Sequence, residues 1–197
     1  MRRVLLCLMI AASLGVALSA CDAGKPAFRN TDITGADFAR SLTLNDPTGK
    51  PRSLADFKGK VVTVFFGYTQ CPDVCPTTLS EMAEVMKLLG EKSDRVQVLF
   101  VSVDPERDTP GVLAEYAPAF DPRFLALSGD ANATAAVTRE FKVFFQKVPG
   151  ATPGTYTIDH SAGSYVFDPA GRVRLFIKHG QGAQALAGDI LRLLDGA

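Results

Sequence analysis

The sequence lacks tryptophan altogether and has only two histidines and four cysteines among its 197 residues. It contains no internal repeat and no low-complexity tract, which excludes repeat architectures. Neither charge sign is in excess, because 21 basic side chains balance 21 acidic ones. Without a basic surplus, neither nucleic acid nor electrostatic attraction to an anionic membrane is predicted. The hydrophobic content of 47% and the length are sufficient for one domain with a proper core.

Two of the four cysteines lie within or directly after an N-terminal apolar run. The basic start Met1–Arg3 precedes this run, which extends from Val4 to Ala20 and is shorter than the roughly 20 apolar residues that cross a bilayer. Its length and basic flank are typical of an export signal. Only Cys71 and Cys75 remain for the folded part of the chain, too few for a disulfide framework.

The apolar run ends in the sequence LSAC, which resembles the bacterial lipobox. In that motif the cysteine, here Cys21, is lipidated and becomes the first residue of the mature protein. Asp22 resembles the signal that keeps lipoproteins on the inner membrane of some bacteria. An uncleaved anchor, or an ordinary signal peptide cut near Ala20, would also export the domain. We predict a lipoprotein signal over residues 1–21 and a lipid anchor on the outer, periplasmic face of the bacterial inner membrane.

The segment after the lipobox is polar and contains Gly24, Pro26 and Asn30. Such a composition is typical of a disordered connection between an anchor and a domain. We therefore predict a flexible tether over residues 22–34 and a single domain over residues 35–197.

Strand patterns alternate with helical patterns along the predicted domain. The apolar runs Val61–Phe66 and Val96–Val103 are typical of strands buried inside a sheet. Apolar residues recur at helical spacing from Leu79 to Leu89, and a helical pattern ends the chain. Asp168–Gly171 predicts the turn of a β-hairpin, whereas residues 146–155, rich in proline and glycine, predict a loop. The fold class is therefore α/β, with a central sheet flanked by helices and an added β-hairpin.

Cys71 and Cys75 lie where the predicted strand Val61–Phe66 gives way to a helix, and a proline follows each cysteine. The N–H groups at a helix start favour a thiolate over a thiol. Cα atoms one helical turn apart are roughly 6 Å from each other, a distance that a disulfide can bridge. Two reduced sulfurs are also suitable ligands for a soft metal ion. A passive disulfide that closes so short a loop would stabilise the fold little. Two interpretations of the cysteine pair therefore remain, a redox-active dithiol and a metal site.

Three segments of the chain resemble, in this order and at comparable spacing, the Sco/SenC family. They read GYTQCPDVCPTTL, SVDPERDTP and DHSAGSYVFDPAGRV, and the similarity extends from Thr34 to Leu194. Proteins of this family are thioredoxin-fold copper proteins that assist the assembly of cytochrome c oxidase. The resemblance implies a thioredoxin-like fold with a central mixed sheet. It also places copper ligands at Cys71, Cys75 and His160.

The same resemblance bears on the surroundings of these ligands. It implies that His160 lies in a loop folded against the cysteines. Asp73 and Asp104 match family positions and are candidates for contacts around the ligands, and Asp104 is equally expected to cap a turn. Gln70 stands where some relatives have a histidine, so that position is not predicted as a ligand. His179 matches no motif and is predicted to lie at a solvated strand end.

Two thiolates and one imidazole form a soft set of three ligands. Structural zinc normally takes four protein ligands, whereas Cu(I) accepts thiolate ligands readily. The implied site therefore suits Cu(I), and it suits Cu(II) when water or Asp73 adds an oxygen ligand. An incomplete set of ligands also leaves room for a ligand from a partner protein.

Delivery of copper is the first functional hypothesis. The protein would receive copper from an upstream periplasmic donor and pass it to the dinuclear copper site of cytochrome c oxidase subunit two, which is binding rather than catalysis. The alternative is a thiol–disulfide oxidoreductase that keeps the cysteines of an oxidase subunit reduced. Typical dithiol oxidoreductases have two residues between the cysteines, and this chain has three, Pro72–Val74. A peroxidase is disfavoured because no Pro-x-x-x-Thr-x-x-Cys pattern precedes either cysteine.

Overall fold

The structure is a computed structural model that describes residues 28–197. The predicted signal peptide, the lipidation of Cys21 and the first part of the predicted tether lie outside the described residues. Within residues 28–197, no helix combines the length and the apolar character needed to cross a bilayer.

The described chain alternates strands and helices. The strands are β1 Thr31–Asp32, β2 Thr43–Asn45, β3 Pro51–Ser53, β4 Val61–Gly67, β5 Val96–Ser102, β6 Leu125–Leu127, β7 Phe145–Pro149, β8 Tyr156–His160, β9 Ser164–Phe167 and β10 Val173–Ile177. The α-helices are α1 Val74–Leu89, α2 Pro110–Tyr116, α3 Ala131–Glu140 and α4 Ala183–Leu194, and short 3-10 helices cover Leu54–Phe57 and Gly90–Arg95.

The main sheet has six strands in the order β1-β10-β9-β4-β5-β6. Strands β4, β5 and β6 are parallel, whereas β9 pairs antiparallel with both β4 and β10. The sheet is therefore mixed. All seven residues of β4 are buried, because helices cover both faces of the sheet and leave its central strand no solvated side.

Neighbouring residues of β4 point to opposite faces and so enter two separate cores. Phe65 packs with α1 and α4 on one face. Phe66 packs on the other face, where its ring centroid lies 5.1 Å from that of Phe141. Burying one such phenylalanine contributes about 1.5–3 kcal/mol. These two cores fix β4, and with it the point at which the cysteine segment leaves the sheet.

Two helices of the domain begin at residues that cap them. The Thr109 side chain accepts a hydrogen bond from the Val112 N–H, and Pro110 occupies the first turn of α2. Asp130 caps α3 in the same way by accepting from the Ala133 N–H. The predicted β-hairpin around Asp168–Gly171 is also present, as β9 and β10.

The loop predicted over residues 146–155 is wrong for its first part. Strand β7 pairs with β8 in a two-stranded sheet outside the main one, with Phe145 opposite His160 and Pro149 opposite Tyr156. Only the residues between them turn, with Gly154 at φ +84°. The proline and glycine residues marked the turn, but the pairing depends on a partner strand that local composition does not reveal. We call β7 and β8 the histidine hairpin.

The predicted tether is also wrong for residues 28–34, which belong to the domain. Strand β1 pairs with β10, and Asn30 is buried. The N–H groups of Arg29 and Asn30 donate to the fully buried carboxylate of Asp189, at 3.0 and 2.9 Å. A polar segment thus packs because its donors satisfy a buried charge. Composition alone does not reveal this.

Candidate metal centre

The cysteine segment follows β4 at the carboxyl edge of the sheet. Cys71 is half-buried in the turn, and Cys75, the second residue of α1, is fully buried. Gly67 ends β4 directly beneath the second sulfur. A Cβ atom at this position would lie 2.6 Å from the Cys75 Sγ atom and 2.9 Å from the Phe100 ring. The glycine is required here because only its missing side chain allows this approach.

The histidine hairpin brings His160 to the cysteines, and the residue ends strand β8 instead of lying in a loop as expected. Its Nε2 atom lies 3.5 Å from the Cys75 Sγ atom. The ligand atoms of Cys71, Cys75 and His160 all lie within 4.8 Å of one another, and no other cluster of three such ligands occurs within residues 28–197. Bonds of about 2.0–2.3 Å to one ion separate two ligand atoms by at most about 4.6 Å. The observed separations approach those of an assembled site.

The imidazole of His160 is held in the tautomer that binds metal. Its Nδ1 atom lies 3.0 Å from the Ser161 carbonyl oxygen. Because a carbonyl only accepts, Nδ1 carries the proton and the lone pair of Nε2 faces Cys75. The rings of Phe65 and Tyr68 contact the imidazole, with centroids at 6.1 and 5.9 Å. Burial lowers the pKa of His160, which keeps the ring neutral.

The expected preference of the helix start for a thiolate does not hold at Cys75. Burial raises the pKa of this thiol strongly, and the neighbouring Cys71 raises it further, although the Tyr68 backbone hydrogen bond opposes the shift. The cost of placing a bare anion in a dry pocket exceeds the benefit of the helix dipole. A positively charged metal ion would remove this penalty, so metal binding at Cys75 would release the thiol proton.

Asp73 and Gln70 flank Cys71 without joining the ligand cluster. Asp73 is exposed at the start of α1, and its backbone carbonyl accepts from the Thr77 hydroxyl at 2.9 Å. Gln70 accepts a hydrogen bond of 3.1 Å from Arg107 Nη1. The amide of Gln70 is therefore engaged away from the sulfurs.

Asp104 is fully buried and lies beside the histidine hairpin. Its carboxylate accepts from the Tyr156 hydroxyl at 2.8 Å and from the Nε atom of Arg107. It contacts the hairpin that carries His160 rather than the ligand atoms. Arg107 lies within the motif SVDPERDTP, but no role was predicted for it from the sequence. Tyr156 carries no recognisable sequence signal, because its role depends on the position of the hairpin.

Asp108, two residues before α2, holds the start of the cysteine segment. No role was predicted for it from the sequence. Its buried carboxylate accepts from the Thr69 hydroxyl at 2.6 Å and from the Ser102 hydroxyl at 2.6 Å. Burial raises the pKa of Asp108, although these hydrogen bonds oppose the shift. The residue thus connects the ends of β4 and β5 next to the site.

His179 lies apart from this cluster. It is exposed after the end of β10, and its Nδ1 atom is 3.1 Å from the Thr78 hydroxyl oxygen. This position agrees with the predicted solvated strand end. The two histidines of the chain therefore differ clearly in their surroundings.

A cleft of about 310 Å³ opens beside the cysteines and the histidine. One wall is Tyr68 with residues 71–74, and the other is formed by residues 157–160 and Ala162. Cys71 and His160 both line it, whereas Cys75 lies behind them. A larger cavity, of about 650 Å³, is lined by residues such as Arg40 and Arg174 and contains none of the ligand residues.

A model of the SCO1/SenC family matches residues 30–195. The chain belongs to the SCO1/SenC family. The match begins before residue 35 and so agrees with the packing of residues 28–34 against the domain. The mitochondrial SCO2 homolog of Mus musculus is 33% identical over 197 residues, which cover 96% of this chain and 77% of the relative.

Two solved structures of SCO1/SenC relatives resemble the chain closely. ScoI of Bradyrhizobium japonicum, solved with copper bound, is 41% identical with a TM-score of 0.71, covering 78% of this chain and 97% of that one. A SCO1/SenC lipoprotein of Bacillus anthracis is 25% identical with a TM-score of 0.70, covering 85% and 99%. The thioredoxin-like fold implied by the three sequence motifs is thereby confirmed.

Proposed function

We propose that this SCO1/SenC protein is a copper metallochaperone in the assembly of cytochrome c oxidase. It binds one copper ion through the sulfurs of Cys71 and Cys75 and the Nε2 atom of His160. The observation that carries this proposal is the convergence of these three atoms within 4.8 Å, from two separate parts of the chain. The copper bound in the Bradyrhizobium relative supports the same cargo for this chain.

The ligand set suits Cu(I) in particular. Thiolates are soft ligands, and a neutral imidazole completes a set that matches a soft monovalent ion. The carbonyl contact of Nδ1 and the lowered pKa of His160 already provide the neutral ring with its lone pair on Nε2. Cu(II) would need an added oxygen ligand. Water can enter from the cleft, and the exposed Asp73 lines the same cleft.

The cleft provides the route for transfer to a partner. Cys71 and His160 are half-buried on its wall, so a ligand of an acceptor protein can approach the metal from this side. Cys75 is fully buried and keeps hold of the metal while ligands exchange. The acceptor we propose is the dinuclear copper site of cytochrome c oxidase subunit two. An upstream periplasmic donor supplies the copper.

The alternative function is a thiol–disulfide oxidoreductase acting on the cysteines of an oxidase subunit. The half-buried Cys71 favours it, because this sulfur is accessible to a disulfide of another protein. The raised pKa of Cys75 disfavours it. Thiols of high pKa are poor leaving groups and are mostly protonated at neutral pH, which slows exchange through the second sulfur. The environment of Cys75 thus supports metal binding more than disulfide exchange.

We also propose that the protein is lipid-anchored through Cys21 on the outer face of the bacterial inner membrane. The sequence LSAC at the end of the apolar run supports this location. The Bacillus relative described as a lipoprotein supports it as well. An anchor on this face would confine the protein to the membrane in which the oxidase is assembled.

A transfer experiment tests the proposed function. The reduced protein, loaded with one equivalent of Cu(I), is mixed with the copper-free soluble domain of oxidase subunit two, and the dinuclear centre is followed by its visible absorption. We expect the centre to form with the wild type and much less with His160→Ala. His179→Ala is the matched control and should transfer like the wild type. Transfer by His160→Ala at the wild-type rate and yield would exclude the proposed ligand set.

A further inference from the structure

The two halves of the metal centre are not connected by the main sheet. The cysteines follow β4, the central strand, whereas His160 ends the histidine hairpin, which forms a separate two-stranded sheet. The 3.5 Å separation of the Cys75 Sγ and His160 Nε2 atoms therefore depends on whatever holds the hairpin against the domain.

Asp104 holds the far end of the hairpin. Both oxygens of its fully buried carboxylate are used, one by the Tyr156 hydroxyl at 2.8 Å and the other by Arg107 Nε. Its own N–H donates to the Ser102 hydroxyl at 3.0 Å, which ties it to the end of β5. Hydrogen bonds to an ionised carboxylate are stronger than those between neutral groups. Asp104 is thus a fixed point to which the hairpin is bound.

Arg107 connects that fixed point to the cysteine segment. Its Nη1 atom donates to the Tyr156 carbonyl at 2.8 Å and to the Gln70 side-chain oxygen at 3.1 Å. Its guanidinium carbon lies 3.6 Å from the centroid of the Tyr156 ring, a close cation–π contact. Gln70 directly precedes Cys71, so one side chain reaches both halves of the metal centre. We call Asp104, Arg107 and Tyr156 the hairpin clamp.

The geometry of β8 carries this restraint to the ligand. Tyr156, Ile158 and His160 alternate along the strand and face the domain, whereas the residues between them are exposed. The Ile158 N–H donates to the Tyr68 hydroxyl at 3.2 Å, a second attachment on the same face. An extended strand is stiff over four residues, about 13 Å. Fixing Tyr156 and Ile158 therefore also fixes the position of the imidazole.

We infer that Asp104 and Arg107 are positioning residues that set the approach of His160 to the two sulfurs, acting through Tyr156. The inference rests on the proposed function, because it assigns to the hairpin clamp the geometry of that same copper site. Neither residue contacts the ligand atoms. The Tyr156 contacts act on copper binding through His160, whereas the Gln70 contact of Arg107 also reaches the cysteine segment.

The test uses the reduced full-length protein with two changes in the clamp, Tyr156→Phe and Asp104→Asn. Tyr156→Phe removes one hydroxyl and leaves the ring over Arg107. The matched control is Tyr165→Phe, which removes a hydroxyl that donates to the Phe141 carbonyl at 2.6 Å rather than to the hairpin clamp. Amide hydrogen exchange is measured without metal, and Cu(I) affinity is measured by competition with a chelator.

Without metal, both clamp variants should speed exchange in β7 and β8 by about five- to tenfold relative to β9. Tyr165→Phe should not change exchange in the hairpin. Unchanged exchange in β7 and β8 of both clamp variants would overturn the inference. This readout does not involve copper, so it decides the role of the clamp even if His160→Ala binds copper normally and the proposed ligand set fails.

With copper, Tyr156→Phe should weaken binding by about tenfold, as is usual for residues that orient a ligand. In the His160→Ala background the same change should alter affinity by less than about twofold, because no imidazole is left to position. If the clamp contributed only to overall stability, Tyr156→Phe would lower the Cu(I) affinity equally in the wild-type and His160→Ala backgrounds. Equal losses in the two backgrounds would therefore also overturn the inference.

Discussion

The Nε2 atom of His160 lies 3.5 Å from the Sγ atom of Cys75, although 85 residues separate them in the chain. One comes from the histidine hairpin and the other from the first turn of α1. Their contact joins a neutral imidazole to a thiol whose raised pKa reflects burial. Such a pair is poorly suited to free thiolate chemistry and well suited to sharing a soft cation.

Replacing His160 separates copper delivery from disulfide reduction. His160→Ala should weaken copper binding strongly while sparing most of the Cys71–Cys75 redox chemistry, since dithiol exchange needs only the two sulfurs. Cells carrying this variant should lose oxidase activity and regain part of it with added copper. His179→Ala is the control and should behave like the wild type. Wild-type oxidase levels in His160→Ala cells under copper limitation would favour the reductase.

The redox state of the dithiol should switch copper binding. A disulfide between Cys71 and Cys75 removes two of the three ligands at once. The reduced protein should bind about one Cu(I) per chain and the oxidised protein far less, measured by metal analysis after gel filtration. Equal copper contents in the two states would rule out a site built on these cysteines.

Adding one methyl group at Gly67 should disturb the site. The new Cβ of Gly67→Ala would lie 2.6 Å from the Cys75 Sγ atom and must displace it. We expect a loss of about 1–3 kcal/mol in the free energy of unfolding, together with weaker Cu(I) binding. Gly188→Ala in α4 is the matched control, because its Cβ meets nothing within 4 Å. That change should be neutral or stabilise by up to about 1 kcal/mol. Denaturant unfolding of both variants provides the comparison.

The metal-free, reduced protein should lose stability as the pH falls through the titration of His160. Folding lowers the pKa of this imidazole from its ordinary value of 6.5, mainly by burial. The unfolded chain therefore takes up a proton at a higher pH than the folded one, so acid favours unfolding. The contribution is fully present above pH 6.5 and is lost below it. His160→Gln should flatten the fall in the free energy of unfolding that the wild type shows between about pH 7.5 and 5.

Membrane attachment should depend on Cys21. A lipidated cysteine partitions the protein into the membrane fraction, and Cys21→Ser should release the protein or leave an uncleaved precursor. Cell fractionation and mass spectrometry of the mature N-terminus measure both outcomes. An unmodified mature N-terminus in the wild type would show that no lipid is attached there.

The elements nearest the cysteines could be predicted because their signals are local. The apolar run before Gly67, the helical spacing after Cys75 and the caps at Thr109 and Asp130 each depend on only a few residues. The mixed sheet and the pairing of His160 with the cysteines entered only through the resemblance to the Sco/SenC family. No periodicity in the sequence indicates which residues meet across 85 positions.

The parts that were missed depend on long-range partners. Strand β7 exists because β8 lies beside it, and residues 28–34 are ordered against the domain because Asp189 and β10 satisfy their backbone groups. Tyr156 matters because the hairpin brings its hydroxyl to Asp104. Each of these contacts is set by tertiary packing. Local composition alone indicated a loop for residues 146–155 and a tether for residues 22–34.

The histidine hairpin is separate from the main sheet, and this separation affects how copper would be released to an acceptor. In the proposed ligand set, the imidazole could leave the ion by a local movement of the histidine hairpin, while the two sulfurs stay attached at the end of β4 and the start of α1. The barrier to handover is then set by a few contacts of the hairpin, and the domain need not open. Release can be rapid in a protein whose fold is durable, because different contacts govern the lifetime of the complex and the lifetime of the native state.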